Sequence, residues 1–124
     1  MPRPILDEAH IHPAVRETIA QLHSSIVNEV KAAVQRNDVV VVGMGMNPMC
    51  KKARQALDAA GQAHAYLEYG NYFNTWRRRN ALKMWTGWPT FPMVFVKGTL
   101  VGGAQELKAL IDSGELKKLS GPSA

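Results

Sequence analysis

Apolar and polar positions follow two rhythms along this chain, and the changes of rhythm mark its elements. Val15, Ile19 and Leu22 recur at helical spacing behind Pro13, which sits near a first turn where a missing N–H costs nothing. From Ser24 a second apolar stripe begins, with Ile26, Val27, Val30, Ala33 and Val34 on one face and Ser24 or Ser25 as its cap. The pattern fits two helices or one bent helix. Val39 to Val42 is too short and too β-branched for a helix and suits a strand buried on both faces, central in a parallel or mixed sheet. Ala53, Ala56, Leu57 and Ala60 form the next helical stripe, with Gly61 closing it. "AHAYLEY" alternates and predicts a second strand, parallel to the first if the helix is the crossover. "NTWRRRNALKMWTG" is helical and closed by Gly87, and "MVFVKGTLVG" is a hairpin signal. "AQELKALIDSGELKKL" puts Leu107, Leu110 and Ile111 on one helical side, with a short last turn at Leu116 and Leu119.

The expected order is αα-β-α-β-α-β-β-α, an α/β fold with helices on both faces of a four-stranded sheet. A chain of 124 residues can bury one such core. Residues 1–23 are expected to be an arm and a helix, 24–119 the main domain and 120–124 a disordered tail.

Composition changes this picture little: 46% apolar and 20% charged residues are ordinary for a globular protein. No membrane span is expected, and "MPRPILDEAHIH" lacks the apolar centre of a signal peptide. The single cysteine excludes an internal disulfide and makes a reducing, cytoplasmic setting the default expectation. The net charge of +5 gathers at Lys51, Lys52 and Arg54, at Arg77, Arg78 and Arg79, and at Lys117 and Lys118. Such clusters serve as solvated surface or draw a small anionic ligand. Nucleic-acid binding is not expected, because one or two basic triplets arise readily by chance. His10, His12 and His23 lack the accompanying Cys or acid spacing of a metal site. Met44, Met46 and Met49, beside Cys50, are either soft-metal ligands or loop methionines packed on aromatic rings.

Candidate chemistry centres on Cys50, expected at or near the N-cap or N1 of the helix after the first strand. Unpaired N–H groups at a helix start, with Lys51 and Lys52 adjacent, favour thiolate over thiol, and the thiolate is the nucleophile. A small buried core residue is the other reading, since free cysteine is among the most buried residue types. Downstream, "WPTFP" at 88–92 leads into a strand. A cis Phe91–Pro92 bond would turn the N–H and C=O of Thr90 outward, ready to pair with an extended peptide. "VGG" at 101–103 then runs into the last helix, whose start is a second anion site.

At these residues the chain resembles the glutaredoxins, and most closely their monothiol branch, over about residues 24–119. The resemblance rests on the strand–turn–Cys–helix opening at 39–57, on "WPTFPMVFVKGTLVGG" and on "SGEL" at 113–116. It implies a thioredoxin-like fold, with a four-stranded mixed sheet flanked by helices and here an extra N-terminal helix. In that family a cysteine at the head of a helix faces a cis-proline loop, and glutathione lies between them. By this resemblance Cys50 is the catalytic thiol. Lys51, Lys52, Arg79, Lys83, Thr90, Phe91, Pro92, Gly102, Gly103 and Gln105 form the glutathione site, with Arg79 and Lys83 toward the glycine carboxylate. The departures are clear. Cys-Gly-Phe-Ser becomes Cys50-Lys51-Lys52-Ala53, the family's lysine is Val42, and its aspartate after Gly-Gly is Gln105.

Three functions are implied. The first is glutathione-dependent thiol–disulfide exchange (deglutathionylation) through Cys50, with glutathionylated or disulfide-bearing proteins as partners. The second is a [2Fe–2S] cluster held in a homodimer by Cys50 of each subunit and two glutathiones, for transfer to iron–sulfur acceptor proteins. The third is a degenerate scaffold that binds a partner without turnover.

Overall fold

The computed structural model describes residues 3–71 and 76–120. After a short 3-10 turn at Glu8–His10 come helices α1 (Pro13–Gln21) and α2 (Ser24–Arg36). Strand β1 (Val39–Gly43), helix α3 (Pro48–Ala59) and strand β2 (Ala65–Glu68) follow, then α4 (Trp76–Thr86). The chain closes with the hairpin β3 (Met93–Val96) and β4 (Thr99–Gly102), then α5 (Ala104–Asp112) and α6 (Glu115–Ser120). The N-terminal segment is two helices, broken at His23, whose φ of 46° places it in the left-handed region. The last helix is likewise divided, at Gly114 with φ 79°. Of the expected arm, residues 1–2 lie outside the described residues, as do residues 121–124 of the tail and the first two of the "NTWRRR" stretch.

The sheet order is β2-β1-β3-β4, with β1 parallel to β2 through α3 and antiparallel to β3. The hairpin turns on Lys97 and Gly98, both at positive φ, as a two-residue turn requires. Every residue of β1 is buried, which is why four valines in a row are tolerated. Alternation along the strand divides them between two cores. Val40 and Val42 join Met93 and Phe95 against Ile26 and Val30 of α2 and Leu82 of α4. Val39 and Val41 join Val94 and Val96 against Leu57 of α3, Leu107 of α5 and Leu116 of α6. Each such side chain contributes about 1.5–3 kcal/mol through burial.

One apolar stripe finds no core. Val15, Ile19 and Leu22 of α1 remain exposed, and α1 buries none of its residues. Among the described residues no helix is long and apolar enough to cross a membrane.

Candidate functional site

The start of α3 lies where the end of β1 meets the loop before β3. Asn47 is its N-cap: Oδ1 accepts from the N–H of Met49 at 2.9 Å and of Cys50 at 3.3 Å. Its Nδ2 donates to the Phe91 carbonyl at 3.4 Å. The Phe91–Pro92 bond is cis. Between this helix head, the 88–92 loop and the start of α5 runs a groove of about 480 Å³. Its walls include Asn47, Lys83, Trp88, Thr90, Phe91, Pro92, Gly103, Gln105 and Glu106. Thr90 is exposed, and neither its N–H nor its C=O is bonded to another described residue. The Lys83 ammonium stands 5.8 Å from the Phe91 ring centre. At the start of α5 the Gly103 N–H donates to Glu106 Oε1 at 2.9 Å, closing a capping interaction.

Cys50 is not in this groove. It is the third residue of α3 rather than its cap, it is 1% exposed, and it belongs to the core cluster of Val42 and Met44. The wall it reaches belongs to a second hollow, of about 620 Å³, on the β2 side of the helix, shared with Met44, Met46, Lys51, Arg54, Tyr66 and Glu68. Gly43 makes room for it: a Cβ there would meet Cys50 Sγ and the Tyr66 hydroxyl oxygen, each at 2.9 Å. Burial pushes the Cys50 thiol up from its ordinary pKa, the backbone of Met44 opposes this, and the Glu68 carboxylate adds to it. The expectation of a favoured thiolate is therefore corrected, because burial of Cys50 favours the neutral thiol. Lys51 and Lys52 are exposed and do not reverse this.

Tyr66 donates to Glu68 Oε1 at 2.9 Å, and the Arg54 guanidinium lies 4.1 Å from its ring centre. Burial, first, and that bond to Glu68, second, raise the Tyr66 pKa well above the usual tyrosine value. On this wall Tyr66 thus stands as a neutral phenol bonded to Glu68.

Of the expected glutathione-site residues, the fold brings together Lys83, Thr90, Phe91, Pro92, Gly103 and Gln105. The others lie elsewhere. Lys51 borders the Cys50 hollow, and Lys52 borders a cleft between α3 and α5. Arg79 is buried, with Nη1 donating to the Tyr69 carbonyl at 3.0 Å, so it braces the chain after β2. Gly102 is buried at φ 118° against Glu106. Two groove residues escaped the sequence reading. Asn47 was legible as Asn followed by Pro48 at N1, a helix-start signal. Glu106 was legible as the acidic N3 residue of a cap.

A cluster bridged between two subunits needs its protein sulfur at the molecular surface. Cys50, enclosed one turn into α3, does not fit that group.

Residues 39–101 match the family model described as Glutaredoxin. A "Glutaredoxin-like protein" of Dictyostelium discoideum is 45% identical over 98 residues, 79% of this chain and 80% of the relative. The structure of oxidized glutaredoxin 2 from Chlamydomonas reinhardtii superposes with a TM-score of 0.66 at 32% identity, over 78% of this chain and 92% of that one. A buckwheat glutaredoxin–glutathione complex shares the fold at a TM-score of 0.69 and 22% identity, over 80% of this chain and 90% of the other.

Proposed function

The chain belongs to the glutaredoxin family, and on that premise we propose that it binds glutathione, free or carried on a mixed disulfide, without a nucleophile in the groove. The observation that carries this reading is the identity of the helix head. The residue facing the cis-proline loop is Asn47, an amide that caps α3, while the only sulfur able to form a disulfide is enclosed on the other side of the helix. Glutaredoxins bind glutathione, and the parts of the groove suited to a tripeptide are present. The unpaired backbone of Thr90 offers one strand-like pairing to the cysteinyl unit. Lys83 offers a cation to a terminal carboxylate. The start of α5 favours the other carboxylate, and Glu106 supplies negative charge for the γ-glutamyl ammonium that Gln105 cannot. Asn47 Nδ2 would donate to the ligand sulfur rather than bond to it covalently.

Thiol–disulfide exchange through Cys50 requires in-line approach of a disulfide to a sulfur that is protonated and covered, so it is disfavoured on both counts. The test is calorimetric titration with glutathione and with S-methylglutathione, alongside intact mass after incubation with oxidised glutathione. Both ligands should bind with comparable affinity, and the mass should stay that of the unmodified chain. A stoichiometric glutathione adduct on Cys50 of the folded protein overturns the reading.

A further inference from the structure

A cleft of about 610 Å³ runs between α3 and α5, next to the groove. Ala56 and Ala60 form its α3 wall and Ile111 its α5 wall, and each helix adds one lysine, Lys52 and Lys108. It is not a gap in the core, because Leu57 and Leu107 of the same two helices are fully buried. The cleft adjoins the groove directly: Met49, Ala104 and Gln105 line both. Met49 stands at the junction, and its N–H is the one that the Asn47 side chain accepts at 2.9 Å. A methionine side chain is flexible and moulds itself to irregular apolar partners.

Resting on the reading of the groove as a glutathione site, we propose that its ligands are glutathione thioethers, with an apolar group on the sulfur that lies in the α3–α5 cleft. A sulfur held beside Asn47 meets no nucleophile, so its substituent has to leave along one flank of the α3 head. The two flanks differ in chemistry. On the β2 side the hollow carries Lys51, Arg54, Asp58 and Glu68, whose hydration an apolar group would disturb at a cost. On the α5 side the path passes Met49 into the cleft of Ala56, Ala60 and Ile111, where apolar area is removed from water on both partners. The stems of Lys52 and Lys108 extend those apolar walls while their ammonium heads stay in solvent. From Lys52 to Ala59 the α3 wall runs about 10 Å, room for a chain of several carbons. A thioether has no sulfur–sulfur bond to exchange, so binding is the whole event and no electrons or protons move.

The experiment is calorimetric titration of the full chain with S-methylglutathione and with S-hexylglutathione. The hexyl compound should bind at least about tenfold tighter, the gain from burying roughly two of its additional methylenes. Ala56→Glu sets a carboxylate in the cleft and should cut that gain to within about twofold. Its affinity for S-methylglutathione should stay that of the wild type, which also shows that the variant is folded with its groove intact. Ala109→Glu makes the same change at an exposed position of α5 outside the cleft and should match the wild type with both compounds. If S-methylglutathione binds and S-hexylglutathione binds no tighter, the cleft is overturned and the groove stands. A tenfold gain that survives Ala56→Glu overturns the cleft as well. If neither compound binds, groove and cleft fall together.

Discussion

The two sides of the α3 head make an instructive pair. On the groove side, the polar groups along the walls are the backbone of Thr90, the start of α5, and the side chains of Asn47, Lys83 and Gln105. On the β2 side, a thiol sits beneath Gly43, a bonded tyrosine and two methionines. The two hollows share Met44 and Asn47 and differ in which one a sulfur nucleophile could serve. A binding frame built largely from backbone survives a change of one side chain at the helix head. The chemistry performed in that frame does not, because it depends on which residue is the N-cap and which lies three positions inside the helix.

The sharpest way to break the contrast is Asn47→Cys. It places a thiol at the helix head, against the cis-proline loop, with Cys50 three residues on as a second thiol. Glutathione-coupled reduction of a mixed disulfide, followed through glutathione reductase and NADPH, should rise on the order of 10²-fold or more above the wild type. Loss of the amide cap costs about 1 kcal/mol of helix stability, small enough to leave the fold intact. A folded variant with wild-type activity would mean that the groove is not a glutathione site.

Next in size is the protection of Cys50. Iodoacetamide should label it roughly 100-fold more slowly in the folded protein than in urea, the protection expected if reaction waits for local opening. A sign follows from the raised thiol pKa. The neutral thiol is favoured by the fold, so its contribution to stability is complete below the unfolded value near 9.0 and is lost as pH rises through the folded value. Cys50→Ala should lack that alkaline decline in urea midpoints measured from pH 8 upward. Equal labelling in both states would place the thiol in solvent and restore exchange as a function.

Much of the frame was readable from residue order, and the reasons are physical. The run Val39–Val42 can only be a strand covered on both faces, and Lys97-Gly98 between two β-branched runs can only be a tight hairpin. The 88–103 block carries its geometry in prolines and glycines, which constrain backbone directly, so its groove was also legible. What failed was register at the helix start. A single cysteine with lysines beside it draws attention to itself, while the cap is defined by hydrogen bonds that Asn47-Pro48 announces more quietly. Burial failed for the same reason: whether Arg79 faces a ligand or the Tyr69 carbonyl depends on the rotation of α4, which the weak periodicity of "WRRRNALKMW" does not specify. The exposed stripe of α1 shows the converse, a clear period with no partner among the described residues.

Gly43→Ala probes the packing over Cys50 and Tyr66. The added methyl carbon would meet Cys50 Sγ and the Tyr66 hydroxyl at 2.9 Å, and the crowding should cost about 1–3 kcal/mol in urea unfolding. Glutathione affinity, read on the other side of α3, should stay within about twofold of the wild type, the spread expected for sites that share little structure. A loss of affinity as large as the loss of stability would show that the two sides are one site.

The smallest effect separates two cations that the sequence grouped together. Lys83 borders the groove, so Lys83→Ala removes an attraction for a ligand carboxylate that solvent partly screens, worth about 0.2–1 kcal/mol, or up to roughly fivefold in affinity. That loss should shrink as salt is raised, because the screening length falls below 10 Å above about 0.1 M. Arg79 bonds the chain after β2 from within the core, so Arg79→Met should lower the urea midpoint while leaving affinity for glutathione unchanged in whatever fraction is folded. The two variants therefore move opposite readouts. If Arg79→Met weakens binding and spares stability, the buried guanidinium reaches the ligand after all, and the groove extends under α4 rather than ending at Lys83.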